Sequence, residues 1–470
     1  MRDMADEGLL RFTAEYAAQY LSSLEERPVA APATIEELRK ALAGPLPEEP
    51  TGPEQVIAEL IAAAEPGVVA TGSGRYFGFV IGGAMPVSLA ADWLTSTWDQ
   101  NAGLVAGGPS AAVVEEVCLE WLIELLGLPE GVSAGFVTGC QMAHVTALAA
   151  ARHHVLAAVG WDLARGGLQG APRIRVLVGA ERHITVDRAF RFLGFGSDQI
   201  EAVAADEQGR MSPDALREAL ASADGPTIVC AQAGDVNTGS FDPLDAIADA
   251  VEEKGAWLHV DGAFGLWAAA SPRFRHLVNG SSRADSWATD AHKWLNVPYD
   301  SGIAFCRHPD SHRAAMSVRA SYLEQADPDA AREQLDWNPE FSRRARCFPI
   351  YAAIRSLGRQ GIAALVERCC ERARLLAELL GAAEGVEVLN DVVLNQVLVR
   401  FGDDDGATQE VVRRVQDDGT CWLSGTVWQG RAAMRISVSN WQTSEEDVER
   451  SVVAILDAAA AAVAGASVRA

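Results

Sequence analysis

The chain has 470 residues, 49% of them hydrophobic, which is enough apolar material for a large core divided among two or three domains. A formal charge of −25 repels phosphate backbones and anionic lipid alike, so neither nucleic acid nor a membrane surface is expected as a partner. Eight cysteines without C-x-x-C spacing argue against a disulfide framework and a zinc site, so no metal is expected and the reducing cytoplasm is the expected compartment.

In chain order, an amphipathic pattern over residues 9–21 predicts a first helix, and it lacks the basic start and cleavage site of a signal peptide. A proline-punctuated stretch follows, with a short helix over 34–43 and another over 56–64. These elements are read as an N-terminal helical arm, residues 1–72. From 73 to 341 short apolar runs at 135–137, 175–178, 227–231, 257–260 and 302–306 alternate with helical segments. That alternation predicts an α/β domain with a mostly parallel sheet flanked by helices. Residues 342–470 give a long helical region to 380, a strand pattern over 386–399, and a strand-then-helix ending from 434, a smaller C-terminal α+β domain. The alanine-rich stretch 456–464 continues a helix from 448, and no run reaches membrane-spanning length.

Three segments carry chemistry. Phe136-Val137-Thr138-Gly139-Cys140-Gln141 leads from a predicted strand into a helix over 142–152, so the amides around Gly139 to Gln141 would face an anion at a positive helix end. Trp257-Leu258-His259-Val260-Asp261-Gly262-Ala263 is a buried-strand pattern that delivers a carboxylate at its C-terminal edge, where open α/β sheets bind ligands. Thr289-Asp290-Ala291-His292-Lys293-Trp294-Leu295 sets a lysine among apolar neighbours. Taken singly, each has a bland reading: a helix start, a cap, a surface charge. In this order they supply the phosphate site, the acid for a pyridinium nitrogen and the amine for an aldehyde that pyridoxal phosphate requires.

From Tyr76 to Asp447 the chain resembles the group II pyridoxal-dependent decarboxylases, the aromatic-amino-acid and glutamate decarboxylase family of the fold-type I aminotransferase class. The lysine signature reads Ser286-Trp287, five residues, Lys293-Trp294-Leu295, three residues, then Tyr299. The resemblance implies a seven-stranded-type large domain with Lys293 as the cofactor lysine. It implies that Asp261 pairs with the ring nitrogen, that Ala263 packs on one ring face, and that His183, in Glu181-Arg182-His183-Ile184-Thr185, stacks on the other. It also implies phosphate contacts from Thr138, Gly139, Cys140, Gln141 and His292, with Asn237 in the turn near the ring hydroxyl. Tyr76, Phe79, Trp98 and Asn101 resemble the segment that lines the substrate pocket, partly from a neighbouring subunit, so a homodimer with shared active sites is expected.

The implied activity is decarboxylation of an L-amino acid to the amine and carbon dioxide, in which desolvation would lower the pKa of Lys293 toward neutrality. Departures from the pattern keep alternatives open. Gln334 stands where the family's loop tyrosine is usual, nine residues before Arg343, and Tyr322 is a possible substitute. Loss of that tyrosine accompanies aldehyde-forming, oxygen-consuming chemistry in relatives, so an oxidative decarboxylase, another pyridoxal lyase or an aminotransferase using Arg435 remain alternatives. Gln141 replaces a usual serine, Ser301 a usual Cys or Ala, and the Gly-Thr-Thr turn reads Gly234-Asp235-Val236-Asn237-Thr238-Gly239. Arg343, Arg344 and Arg346 resemble a family arginine cluster, although such a run is more often a solvated face.

Overall fold

The computed structural model describes residues 7–222, 225–317 and 332–467. The chain divides into two compact units: one comprises residues 82–374 and 390–397, the other residues 1–81, 375–389 and 398–470.

The first unit is built on seven strands: β1 Ser133–Val137, β2 Arg175–Gly179, β3 Ile200–Val203, β4 Thr227–Gln232, β5 Trp257–Asp261, β6 Ser286–Asp290 and β7 Gly302–Cys306. Their order is β1-β7-β6-β5-β4-β2-β3. Strand β7 runs antiparallel to both of its neighbours, while β6, β5, β4, β2 and β3 are mutually parallel. Five of the seven, all but β3 and β6, coincide with the apolar runs of the sequence. Edge strand β3 carries the half-exposed sequence Ile-Glu-Ala-Val, too polar and short to stand out, and β6 is recognisable beforehand only as part of the lysine signature.

Every residue of β1, β4, β5, β6 and β7 is buried, as both covered faces of such a sheet demand. One cover is the helix Cys140–Ala158, which packs across β5, β6 and β7. Its run Ala149-Ala150-Ala151 is buried and small, allowing close approach to the sheet, while Leu148, Val155 and Leu156 enter a core with Val176, Val178, Phe190, Ile228 and Trp257. Full burial of each large side chain there is worth about 1.5–3 kcal/mol. Gly302, at the start of β7, abuts the backbone of Gly139 so closely that any Cβ would collide with it. A substitution there displaces the turn that begins the helix.

The second unit contains the helices Glu7–Ser23, Ile35–Leu42 and Pro53–Ala64, none of which buries a residue. Thr34 caps the second through a reciprocal capping box with Glu37. Strands β8 Val386–Val388, β9 Gln396–Phe401, β10 Ser424–Trp428 and β11 Arg431–Ser437 form a sheet in the order β10-β11-β9-β8, accompanied by the helices Asp405–Asp418 and Glu445–Ser467. Loops of this unit are hydrogen-bonded together: Val29 N, between the first two helices, donates to Gly419 O, Phe77 N donates to Trp422 O, and Ser437 N at the end of β11 donates to Phe77 O. No helix among the described residues is long and apolar enough to cross a membrane.

Candidate active site

The C-terminal ends of β5 and β6 bring the two principal groups to one edge of the large sheet, with Asp261 beside Ala288 in register. Asp261 is buried. Its Oδ2 lies 3.4 Å from His144 Nε2, and its Oδ1 accepts from the Ala263 amide at 3.1 Å and faces the Cys140 thiol at 3.9 Å. Burial alone pushes this carboxyl's pKa up. His144, within hydrogen-bond reach, and the fields of His183 and Lys293 outweigh that and hold it well below the usual carboxylate range.

Lys293 follows β6, its Nζ 3.3 Å from Asp290 Oδ2 and 5.9 Å from the centre of the Phe264 ring. Burial pushes its pKa down, yet the carboxylates of Asp290 and Asp261 reverse the direction, and the net shift is upward. The expectation that desolvation would bring this lysine toward neutrality is therefore corrected. The opposing group is Asp290, three residues before it on the same strand end, which attracts the ammonium more than the apolar surroundings disfavour it.

The turn after β1 leads directly into a helix. Gly139 is the N-cap of the helix Cys140–Ala158 and offers no side chain to cap it. The first helical amide, Cys140 N, donates to Asp290 Oδ1 at 2.6 Å, so a carboxylate already engages part of this positive helix end. Thr138 is half-buried, and Gln141 Nε2 donates to the carbonyl of Thr185 at 3.3 Å. His292 is buried, stacks on Tyr299 with ring centres 4.1 Å apart, and accepts from the Ser301 amide at Nδ1. That bond leaves Nε2 to carry the proton, 3.6 Å from Asp290 Oδ1. Burial lowers the His292 pKa.

His183 is the N-cap of the helix Ile184–Phe192, with Nδ1 2.7 Å from Thr185 Oγ1. Its amide donates to Gln232 Oε1 at the end of β4, which ties the loop to the sheet edge. Asn237 lies in a turn organised by Asp235, whose Oδ1 accepts from the amides of Asn237 and Thr238. Ala263 is half-buried directly after β5.

Of the four residues expected to line a substrate pocket, Tyr76 and Phe79 belong to one unit and Trp98 and Asn101 to the other. Tyr76 is buried and stacked on Trp422 at 5.2 Å, and Phe79 meets the same indole at 5.3 Å. Trp98 ends the helix Pro86–Trp98 and sets its edge against Phe348, while the Asn101 side-chain carbonyl accepts from the amides of Gly103 and Arg343.

The arginine run is not a solvated face. Arg343 is fully buried, paired with Glu115 at 2.6 Å and donating to the carbonyls of Ala102 and Phe136. Arg344 pairs with Asp92, and Arg346 with Asp300. Gln334 is buried in a short 3-10 turn, and its carbonyl accepts from Asn338 Nδ2. Tyr322 lies outside the described residues.

Sequence reasoning missed His144. It sits one helical turn after Cys140, so the two share a face toward β5, and Cys140, His144 and Asp261 bring three donor atoms within 4.8 Å of one another. The i, i+4 pair was the available signal, but only the packing of helix on strand supplies its third member.

The residues fit pyridoxal phosphate. A buried ionised carboxylate such as Asp261 is stable only beside a cation, which a protonated pyridine nitrogen provides. At the opposite end the helix start at Gly139, where the Asp290 carboxylate takes only the first amide, adjoins His292, and among the described residues the neighbouring Ser301 hydroxyl is buried without a hydrogen-bond partner.

Comparison with known proteins agrees. Residues 36–401 match the pyridoxal-dependent decarboxylase conserved domain. The chain is 30% identical over 428 residues to the L-2,4-diaminobutyrate decarboxylase of Rhizobium meliloti, covering 88% of this chain and 83% of that one. It is 26% identical to the aromatic-L-amino-acid decarboxylase of Bacillus atrophaeus, covering 91% and 90% respectively. A solved structure of Oryza sativa TDC with PLP and tryptamine superposes with a TM-score of 0.90 at 23% identity, covering 98% of both chains. The fold is that of the fold-type I pyridoxal enzymes. The chain belongs to the pyridoxal-dependent decarboxylase family and is a pyridoxal-phosphate-dependent carboxy-lyase acting on amino acids.

Proposed function

We propose that this enzyme converts an L-amino acid to the corresponding amine and carbon dioxide, with Lys293 holding the cofactor and Asp261 facing its ring nitrogen. The observation that carries the reading is a buried, ionised Asp261 at the end of β5 beside a lysine just past the end of β6. When bound, pyridoxal phosphate accepts the electron pair released as the bond between Cα and the carboxylate breaks.

Asp261 keeps a proton on the ring nitrogen, because its negative charge stabilises the cation there. Lys293 would hold the cofactor through its aldehyde carbon, and Asp290, 3.3 Å away, would be within reach of the lysine's proton. His183 and Ala263 would hold the ring between them and so orient the substrate bound to it. Thr138, Gly139, Cys140, Gln141 and His292 hold the phosphate, and Asn237 lies near the ring hydroxyl. Trp98 and Asn101 contribute to the substrate pocket.

The working form in this reading is a homodimer with shared sites. Exposed Val87, Leu94 and Trp98 on one helix support it, as do exposed Val56 and Leu60 on another, since an apolar row left in water favours association. The reading places the enzyme in the cytoplasm, with eight free, buried cysteines in support.

The test is to incubate the enzyme with pyridoxal phosphate and a panel of L-amino acids while following carbon dioxide, oxygen and the organic product together. Amine and carbon dioxide without oxygen uptake are expected. Aldehyde with oxygen uptake overturns the reading in favour of oxidative decarboxylation, the outcome that Gln334 at the tyrosine position makes worth measuring.

A further inference from the structure

Behind Asp261 lies a buried chain of polar groups that none of the proposed chemistry uses. His144 Nε2 is 3.4 Å from Asp261 Oδ2, His144 Nδ1 is 2.9 Å from His259 Nε2, and His259 Nδ1 is 2.9 Å from Ser286 Oγ. Ser286 Oγ in turn accepts from Trp257 Nε1 at 2.9 Å. His144, His259 and Ser286 are each fully buried.

The two ends fix the direction of every bond between them. An indole nitrogen only donates, and an ionised carboxylate only accepts. With Trp257 donating to Ser286, the hydroxyl proton goes to His259 Nδ1, the His259 Nε2 proton to His144 Nδ1, and the His144 Nε2 proton to Asp261. Each group donates once toward Asp261, and each ring is held in a single tautomer. The opposite tautomer at His259 would direct its Nδ1–H at Ser286 and leave the serine proton without an acceptor. Burial holds the His259 pKa down, to about 3, which keeps that ring neutral and able to pass the polarisation on.

We propose that Trp257, Ser286, His259 and His144 form a one-directional hydrogen-bond relay that positions Asp261 and sets how firmly it holds a proton on the cofactor's ring nitrogen. The inference rests on the reading that Asp261 faces that nitrogen. His144, His259 and Ser286 are positioning residues, since each acts through the next. The relay joins the helix Cys140–Ala158 to β5 and β6, so the ring-nitrogen partner is oriented by the elements that carry the phosphate turn and Lys293.

The test uses the full-length holoenzyme loaded with pyridoxal phosphate labelled with ¹⁵N in the ring, reading the ring-nitrogen resonance and, separately, cofactor affinity. Asp261→Asn is the reference and moves the resonance toward the unprotonated position. His144→Leu is expected to move it in the same direction and weaken cofactor binding by about tenfold, the size expected for one charge-assisted hydrogen bond. His144→Gln, which can donate from nearly the same place, restores most of both. Ser286→Ala, at the far end, gives a smaller shift of the same sign. If Asp261→Asn shifts the resonance but His144→Leu and Ser286→Ala, folded by circular dichroism, leave it in place, the relay is overturned and the Asp261 reading stands. If Asp261→Asn is itself silent, the Asp261 reading fails.

Discussion

Two fully buried carboxylates in the large-sheet unit meet opposite electrostatic fates. Burial raises the pKa of Glu115 and outweighs Arg343, paired with it at 2.6 Å, together with the fields of Arg332 and Arg346. Asp261 is equally enclosed, but the fields of His144, His183 and Lys293 together overcome burial and its pKa is lowered. At Glu115 three guanidiniums offset the loss of water only in part, whereas the groups converging on Asp261 make the buried anion the stable form. The first arrangement braces the β1 edge, where Arg343 also binds the Phe136 carbonyl. The second maintains a charge at the sheet edge where the cofactor chemistry is proposed.

If that contrast is right, substitutions at the two places separate activity from stability. Lys293→Ala should reduce turnover by roughly three orders of magnitude or more. Its denaturant midpoint should stay near that of the parent. Arg343→Met should do the reverse, costing about 3–5 kcal/mol of unfolding free energy by leaving Glu115 buried without its hydrogen-bonded partner. An added Glu115→Leu should recover most of that loss; a double variant as unstable as the single one would show that Glu115 is not the source.

Acid sharpens the comparison further. His259 and His312 have folded pKa values lowered to about 3 by burial. Between the usual histidine value and about 3 the unfolded chain therefore binds more protons than the folded one, and stability falls as pH drops. Each group contributes up to about 1.4 kcal/mol per pH unit. Equilibrium unfolding of His259→Asn between pH 6 and pH 4 should show a shallower slope than the parent. Above the unfolded histidine pKa the two slopes should coincide.

The smallest expected effect concerns Asp290. Burial lowers the Lys293 pKa and Asp290 is the foremost group raising it, so Asp290→Asn should move that pKa down. The midpoint for attaching pyridoxal phosphate to cofactor-stripped enzyme, followed by absorbance against pH, should then shift to lower pH. An unchanged midpoint would remove Asp290 from its role beside the lysine.

Much of the site was legible because its chemistry is written in contiguous segments. The strand ending in Asp261, the turn at Gly139 and the segment holding Lys293 were each found from local pattern, and they converge because parallel strands deliver their C-terminal ends to one edge. Strand β3 was not legible, since an edge strand half in water lacks the apolar run that marks a central one. The buried state of Arg343 was not legible either. Its partner Glu115 lies 228 residues away, and a run of arginines looks the same whether solvated or enclosed.

By itself, then, the sequence determined the alternation of strands and helices, the order of phosphate turn, acid and lysine, and hence the family and its cofactor. Those depend on residue type and spacing along one chain. Tertiary structure alone decided which way the Lys293 pKa moves, that Asp290 reaches the first helical amide, and that Trp257, Ser286, His259 and His144 line up behind Asp261. The reason is that electrostatic shifts and hydrogen-bond direction depend on distances between groups remote in sequence and on the water excluded around them, and neither is fixed until helix and sheet are packed together.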